Sequence, residues 1–167
     1  MRTLGFDPGT AATGFGVVVF DAGRLQLECC GVWRPPASMD LAGKLDFLFT
    51  AASELASRIR PDAVSIETVF SAARHVASAL KLSHARGVLL AAAARSGVPV
   101  FEYEPRLVKK ALVGYGQAEK EQVRAMVLSL LARQRSRVPL DAADALALAI
   151  CHLHATGGRA SAVPTAR

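Results

Sequence analysis

A mixed α/β fold, one five-stranded sheet flanked by helices, is what this sequence predicts, and three observations carry the expectation. The N-terminal segment alternates apolar, strand-like runs around a tight Asp21-Ala22-Gly23 turn, which reads as an antiparallel meander. Two later apolar runs, "DAVSIE" and "VPVFEYEP", are each followed by helical periodicity, as βα units are. A chain of 167 residues, 51% of them hydrophobic, is long enough to bury roughly 70% of its unfolded surface around a sheet without disulfides or zinc.

The elements follow in order. Residues 2–6, 15–20 and 25–32 read as three strands. Pro35 and Pro36 punctuate, and "MDLAGKLDFLFTAASELASRIRP" then carries a helical stripe through Leu41, Leu45, Leu48, Leu55 and Ile59 until Pro61 stops it. "DAVSIE" is a short buried strand ending in Glu67, and "ASALKLSHARGVLLAAAARSG" a long helix closed by Gly97. "VPVFEYEP" supplies the fifth strand, stopped by Pro105, and helices follow over 106–113, about 118–132 and about 139–154. The order βββαβαβα, three antiparallel strands and then two βα units, is the layout of the ribonuclease H-like fold. One domain over 1–156 is expected, followed by a disordered tail, 157–167, with little to bury.

Composition narrows the function classes. The longest small apolar run, "GVLLAAAA", falls far short of the roughly 20 residues that span a bilayer, and "MRTLGFDPG" has no signal-peptide core. No membrane association is therefore expected. Three cysteines, Cys29, Cys30 and Cys151, are an odd number without metal-type spacing, and read as reduced, buried thiols of a cytoplasmic protein. The net charge of +6 favours a polyanionic partner, although solubility alone would account for it.

Chemistry enters with the acids. Asp7 and Glu67 each end an apolar strand, where a side chain leaves the sheet for the ligand-binding crevice. Alone, each would be an ordinary solvated turn residue. In "VPLDAADALALAICHLH", however, Asp141 and Asp144 lie three apart on the first turns of the last helix, so both carboxylates stack on one face. The helix N-terminus favours such anions by typically 0.3–1 kcal/mol each, which accounts for Asp141 better than for Asp144, deeper in and followed by the core run "ALALAI". Four carboxylates from two strands and a helix make a hard-oxygen site suited to Mg²⁺ or Mn²⁺. Two such ions, roughly 3.5–4 Å apart, would serve phosphodiester hydrolysis. His152 and His154, two apart on a helix, face different ways and read as core or surface histidines rather than zinc ligands.

The segments "DPGTAATGFGVV", "IETVF", "SALKLSHARG", "FEYEPRLVKKALVGYGQAEKEQV" and "DAADALALAICH", in this order from Met1 to about His154, resemble the RuvC family of bacterial Holliday junction resolvases. The resemblance implies a ribonuclease H-like homodimer making paired, symmetric nicks across four-way DNA junctions in recombination and repair, alongside a RuvA–RuvB branch-migration complex. By position it implies Asp7, Glu67, Asp141 and Asp144 as metal ligands, with Lys109 and Lys120 near the scissile phosphate. Phe70 falls on a loop aromatic that stacks on unpaired bases, a contact worth about 1–3 kcal/mol per base. Arg74, His75, Lys81, Arg86 and Lys110 complete the implied DNA-contacting set. Three departures stand out: Ala11 and Ala12 replace a basic residue of many relatives, "FSAARHVASALK" is one residue longer, and Asp141 keeps an acid where some relatives have histidine.

Three rival readings remain beside it. An actin-like or sugar-kinase-like ATPase would use "LGFDPGTAATGFGVV" as a phosphate-gripping hairpin, but needs a second Asp-Gly-rich loop that this chain lacks. Another ribonuclease H-like nuclease, acting on RNA or RNA–DNA hybrid, would share "DPG" without the "SALKLSHARG" helix. A non-catalytic junction-binding protein would have no reason to keep four like charges together.

Overall fold

Residues 1–68, 76–132 and 137–159 are described by the structure, a computed structural model. Three strands open it: β1 (Arg2–Asp7), β2 (Thr13–Asp21) and β3 (Arg24–Trp33). They are antiparallel, and the β2–β3 link is the two-residue turn read from sequence, with Ala22 and Gly23 at φ 47° and 77°. Positive φ at both central residues is the type I′ geometry that matches strand twist, and glycine accepts it without strain. Helix α1 (Leu41–Ile59) is capped by Asp40, which accepts a hydrogen bond from the Gly43 amide at 2.8 Å. Strand β4 (Ala63–Glu67), helix α2 (Val76–Arg95) and strand β5 (Val100–Tyr103) follow, then α3 (Pro105–Val113), α4 (Lys120–Leu130) and α5 (Leu140–Ala155).

The sheet order is β3-β2-β1-β4-β5, with β4 and β5 parallel to β1. Because β1 and β4 run side by side in the same direction, their C-terminal residues, Asp7 and Glu67, emerge at the same edge of the sheet. Side-chain alternation then separates two cores. Leu4, Phe6, Val64 and Ile66 face α1 and α2, where Ala52, Leu55, Ile59 and Leu89 meet them. The other face receives α5, with α3 and α4 outside it.

α5 lies unusually close to that face. Gly5, Gly14 and Gly16 of β1 and β2 turn toward it, and Gly5 and Gly16 are cross-strand partners. A Cβ at Gly5 would overlap the carbonyl oxygen of Ala145, and one at Gly14 the carbonyl oxygen of Asp141. The helix answers with alanines at 142, 143, 145, 147 and 149, all buried. Small residues on both sides thus seat the first turns of α5 directly over the end of β1.

One expectation is adjusted. Cys151 is buried, but Cys29 and Cys30 are only half-buried, because β3 is an edge strand paired on one side only; all three are free thiols. Helix α5 ends in a capping turn, in which Gly158 N–H donates to the Leu153 carbonyl at 2.9 Å, with Gly157 at φ 58°. Residues 160–167 of the expected tail lie outside the described residues. No helix among those described is long and apolar enough to cross a membrane.

Candidate active site

Asp7 stands where β1 ends, and the turn behind it folds upon itself. Thr13 Oγ1 donates to the Gly9 carbonyl at 2.7 Å and accepts from the Gly9 amide at 3.2 Å, so the Pro8–Thr13 turn closes into its own hydrogen bonds. Glu67 ends β4, and the next residue, Thr68, donates its amide to the Tyr103 carbonyl at 3.0 Å. Arg86 of α2 braces the same edge: its Nε donates to the Glu67 carbonyl at 3.1 Å and its Nη2 pairs with Glu102 at 2.5 Å. Asp144 comes from the second turn of α5, and Lys120 from the first residue of α4. The start of α4 is set by a capping box, in which Gln122 Oε1 accepts from the Glu119 amide at 2.9 Å.

These residues meet around a cleft of about 270 Å³ whose walls include Asp7, Glu67, Asp144, Lys109 and Lys120, over a floor formed by Val108, Val123 and Leu148. Lys120 Nζ lies 2.5 Å from Asp144 Oδ2. Asp141, one turn nearer the helix start, does not line the cleft, although its charge acts on Asp7, and Arg34 Nη2 approaches its Oδ2 to 3.6 Å. The four predicted carboxylates and both predicted lysines are therefore neighbours, although the elements carrying them are far apart in the chain.

The electrostatics show a site short of positive charge. Asp7 is pushed up from 3.8 to about 7, chiefly by burial and then by the charge of Asp144; Lys120 opposes this, and Glu67 and Asp141 add to it. Glu67 is raised by burial and by Asp144, with Lys120 and Lys109 acting against the shift. Burial pulls Lys120 down, but its hydrogen bond to Asp144 and the charges of Asp144, Asp7 and Asp141 outweigh it, so the ammonium is held above its usual range. Among the described residues no group of three or more Asp, Glu, His or Cys side chains is disposed to hold an ion. The donor set itself is the hard-oxygen kind that divalent cations of the magnesium type take.

The remaining predicted site residues divide. Lys81 on α2 and Lys110 on α3 are exposed, whereas the guanidinium of Arg86 is spent inside the protein as described. Phe70, Arg74 and His75 lie outside the described residues. His152 is a core histidine, fully buried, its Nδ1 2.7 Å from the Tyr103 hydroxyl and its ring 4.2 Å from that of Phe101; His154 is exposed. Sequence reasoning passed over Arg34 and the three glycines under α5. The glycines carried a readable signal, since glycine inside a strand marks a close backbone approach; Arg34 carried none.

Comparison with known proteins matches this arrangement to one family. The family model described as crossover junction endodeoxyribonuclease RuvC matches residues 3–152. The chain belongs to the RuvC family. A relative from Syntrophomonas wolfei, named crossover junction endodeoxyribonuclease RuvC, is 44% identical over 154 residues, 92% of this chain and 89% of that one. One from Solidesulfovibrio magneticus with the same name is 48% identical over 151 residues, 90% and 88% of the two chains. The structure of Thermus thermophilus RuvC in complex with a Holliday junction substrate superposes with a TM-score of 0.86 at 35% identity, covering 95% of this chain and 96% of that one. The fold is ribonuclease H-like, as the strand order required. The ATPase reading falls with this result.

Proposed function

We propose that this chain is a structure-selective endonuclease that resolves four-way DNA junctions by hydrolysing phosphodiester bonds, in recombination and repair. The observation that carries the reading is the meeting of Asp7, Glu67 and Asp144 with Lys109 and Lys120 on one cleft, in a chain whose family relatives bear the endodeoxyribonuclease name. Asp7, Glu67, Asp141 and Asp144 would hold Mg²⁺ or Mn²⁺, two ions per site. The burial-raised Asp7 and its crowded neighbours fit that role, because dense negative charge is relieved by a cation. When bound, such ions supply a polarised water and stabilise the leaving oxygen.

The chain's own residues supply the rest. Lys109 and Lys120 draw the scissile phosphate into the cleft and balance charge that builds on its oxygens. Attack by water in line with the scissile bond breaks P–O3′, leaving a 5′-phosphate and a 3′-hydroxyl. A homodimer would present two such clefts and so make the paired, symmetric nicks that separate a junction into two duplexes. Phe70 would stack on a base unpaired at the crossover, and Arg74, His75, Lys81 and Lys110 would serve the backbone around it, while Arg86, already engaged by Glu67 and Glu102, would brace the edge that carries Glu67. A RuvA–RuvB motor in the cytoplasm is the expected partner.

The test is a cleavage assay on a mobile four-way junction, linear duplex and RNA–DNA hybrid, each with Mg²⁺ and with Mn²⁺. Selective, symmetric nicking of the junction supports the reading; preferential cutting of the hybrid would overturn it in favour of an RNA-directed nuclease. Asp7→Asn should bind the junction and fail to nick it.

A further inference from the structure

Arg34 stands beside the first turn of α5 on an unusually firm base. It follows Trp33, the last residue of β3, whose ring stacks on Phe15 at 4.6 Å and lies 5.8 Å from Phe6. Pro35, on its other side, is buried. The backbone is thus anchored before and after Arg34, while 59% of its side chain remains exposed and reaches from the sheet edge to the first turn of α5.

Its partner there is Asp141, at 3.6 Å, a separation too long for a hydrogen bond and held by charge alone. The contrast with the neighbouring pair is sharp. Lys120 holds the more enclosed Asp144 at 2.5 Å, within hydrogen-bonding distance. Two carboxylates on successive turns of one helix therefore each meet a cation from a different element, one pair tight and one loose. An exposed, charge-only pair contributes little and exchanges readily. A guanidinium keeps several donors in a planar fork, and that fork matches a phosphate as well as it matches a carboxylate. Any neutralisation of Asp141 removes what holds Arg34 against the helix, and leaves a fixed base carrying a free fork beside the first turn of α5.

We propose that Arg34 is a phosphate-binding residue for the junction strand entering the cleft, for which Asp141 competes through a loose ion pair, and that its grip strengthens when that carboxylate is neutralised. The inference rests on the junction-nuclease reading above. It couples loading of the acidic site to grip on the substrate: cations on Asp141 free Arg34 for the strand, so DNA is held more firmly at a charged site than at an empty one.

The experiment needs no cleavage and no metal. Binding of a labelled four-way junction is followed by fluorescence anisotropy in EDTA across a salt series, for the parent chain, Arg34→Gln, Asp141→Asn and the double variant. Circular dichroism confirms that each is folded. Asp141→Asn stands in for neutralisation. Arg34→Gln should weaken junction binding and lower the slope of log affinity against log salt less in the parent background than in the Asp141→Asn background, where the loss should approach about 0.9, one phosphate contact. Equal effects in both backgrounds would show a contact independent of Asp141, and no effect in either would confine Arg34 to its carboxylate; both overturn the proposal. Linear duplex is the control. If the parent itself prefers no junction over duplex, the nuclease reading fails first; if that preference stands and the slopes coincide, only this inference fails.

Discussion

Removing the charge of Asp7 should stabilise the metal-free protein while abolishing its chemistry. In the folded chain the Asp7 carboxyl titrates near 7 instead of 3.8, because burial and Asp144 penalise its charge. The folded state thus keeps its proton while the unfolded chain releases it. Stability is untouched below about pH 4, falls as pH rises through the interval to about 7, and is flat above it. The gap of about three pH units corresponds to at most about 4 kcal/mol at pH 8, at 1.36 kcal/mol per unit. Asn at this position has the shape of the acid without the charge. For a chain of this size each kcal/mol moves Tm by roughly 2–4 °C, so Asp7→Asn should melt above the parent at pH 8 in EDTA by at most roughly 8–16 °C. The difference should shrink to nothing at pH 4. Differential scanning calorimetry of both proteins across that range is the assay, with Mg²⁺ or Mn²⁺ then added at pH 8. The divalent ion should raise the parent's Tm and move the variant's much less. A variant equal to or below the parent at pH 8, or a gap that persists unchanged at pH 4, would refute the crowded-charge account of the cleft.

Gly14→Ala should cost about 1–3 kcal/mol or more and lower Tm, because its methyl group meets the Asp141 carbonyl and pushes the start of α5 off the sheet; a Tm within error of the parent would mean the helix is not seated as described. Tyr103→Phe should destabilise by about 1–3 kcal/mol by leaving the buried His152 Nδ1 without its hydroxyl, measured by urea denaturation. Unchanged stability would show that the hydrogen bond is replaced by water. Lys109→Ala should weaken junction binding and flatten its salt dependence by about 0.9 in slope, and an unchanged slope with unchanged cleavage would return Lys109 to the solvated surface.

Much of this was legible in the chain, and the reasons are local. The Asp21-Ala22-Gly23 turn, Pro61, Gly97 and Pro105 all act through the backbone of their own neighbours, so their punctuation was readable, and helix ends were missed by only a residue or two. Lys120 as the first residue of α4, rather than two residues in, is such a miss: the capping box of Glu119 and Gln122 starts the helix there. Cys29 and Cys30 were read as buried because composition cannot tell an edge strand from a central one.

What the sequence determined by itself was where the candidate site residues stand: acids at the ends of apolar strands, and two acids one helical turn apart. Those positions follow from periods of two and of three to four residues, which are properties of any short stretch. What the tertiary structure decided is how those charges are held. Lys120 finds Asp144 across 24 residues, and Arg34 reaches Asp141 from the far edge of the sheet, because β1 and β4 run parallel and three glycines let α5 settle onto them. Charge pairing depends on distance in space, and only the packed sheet and helix set that distance.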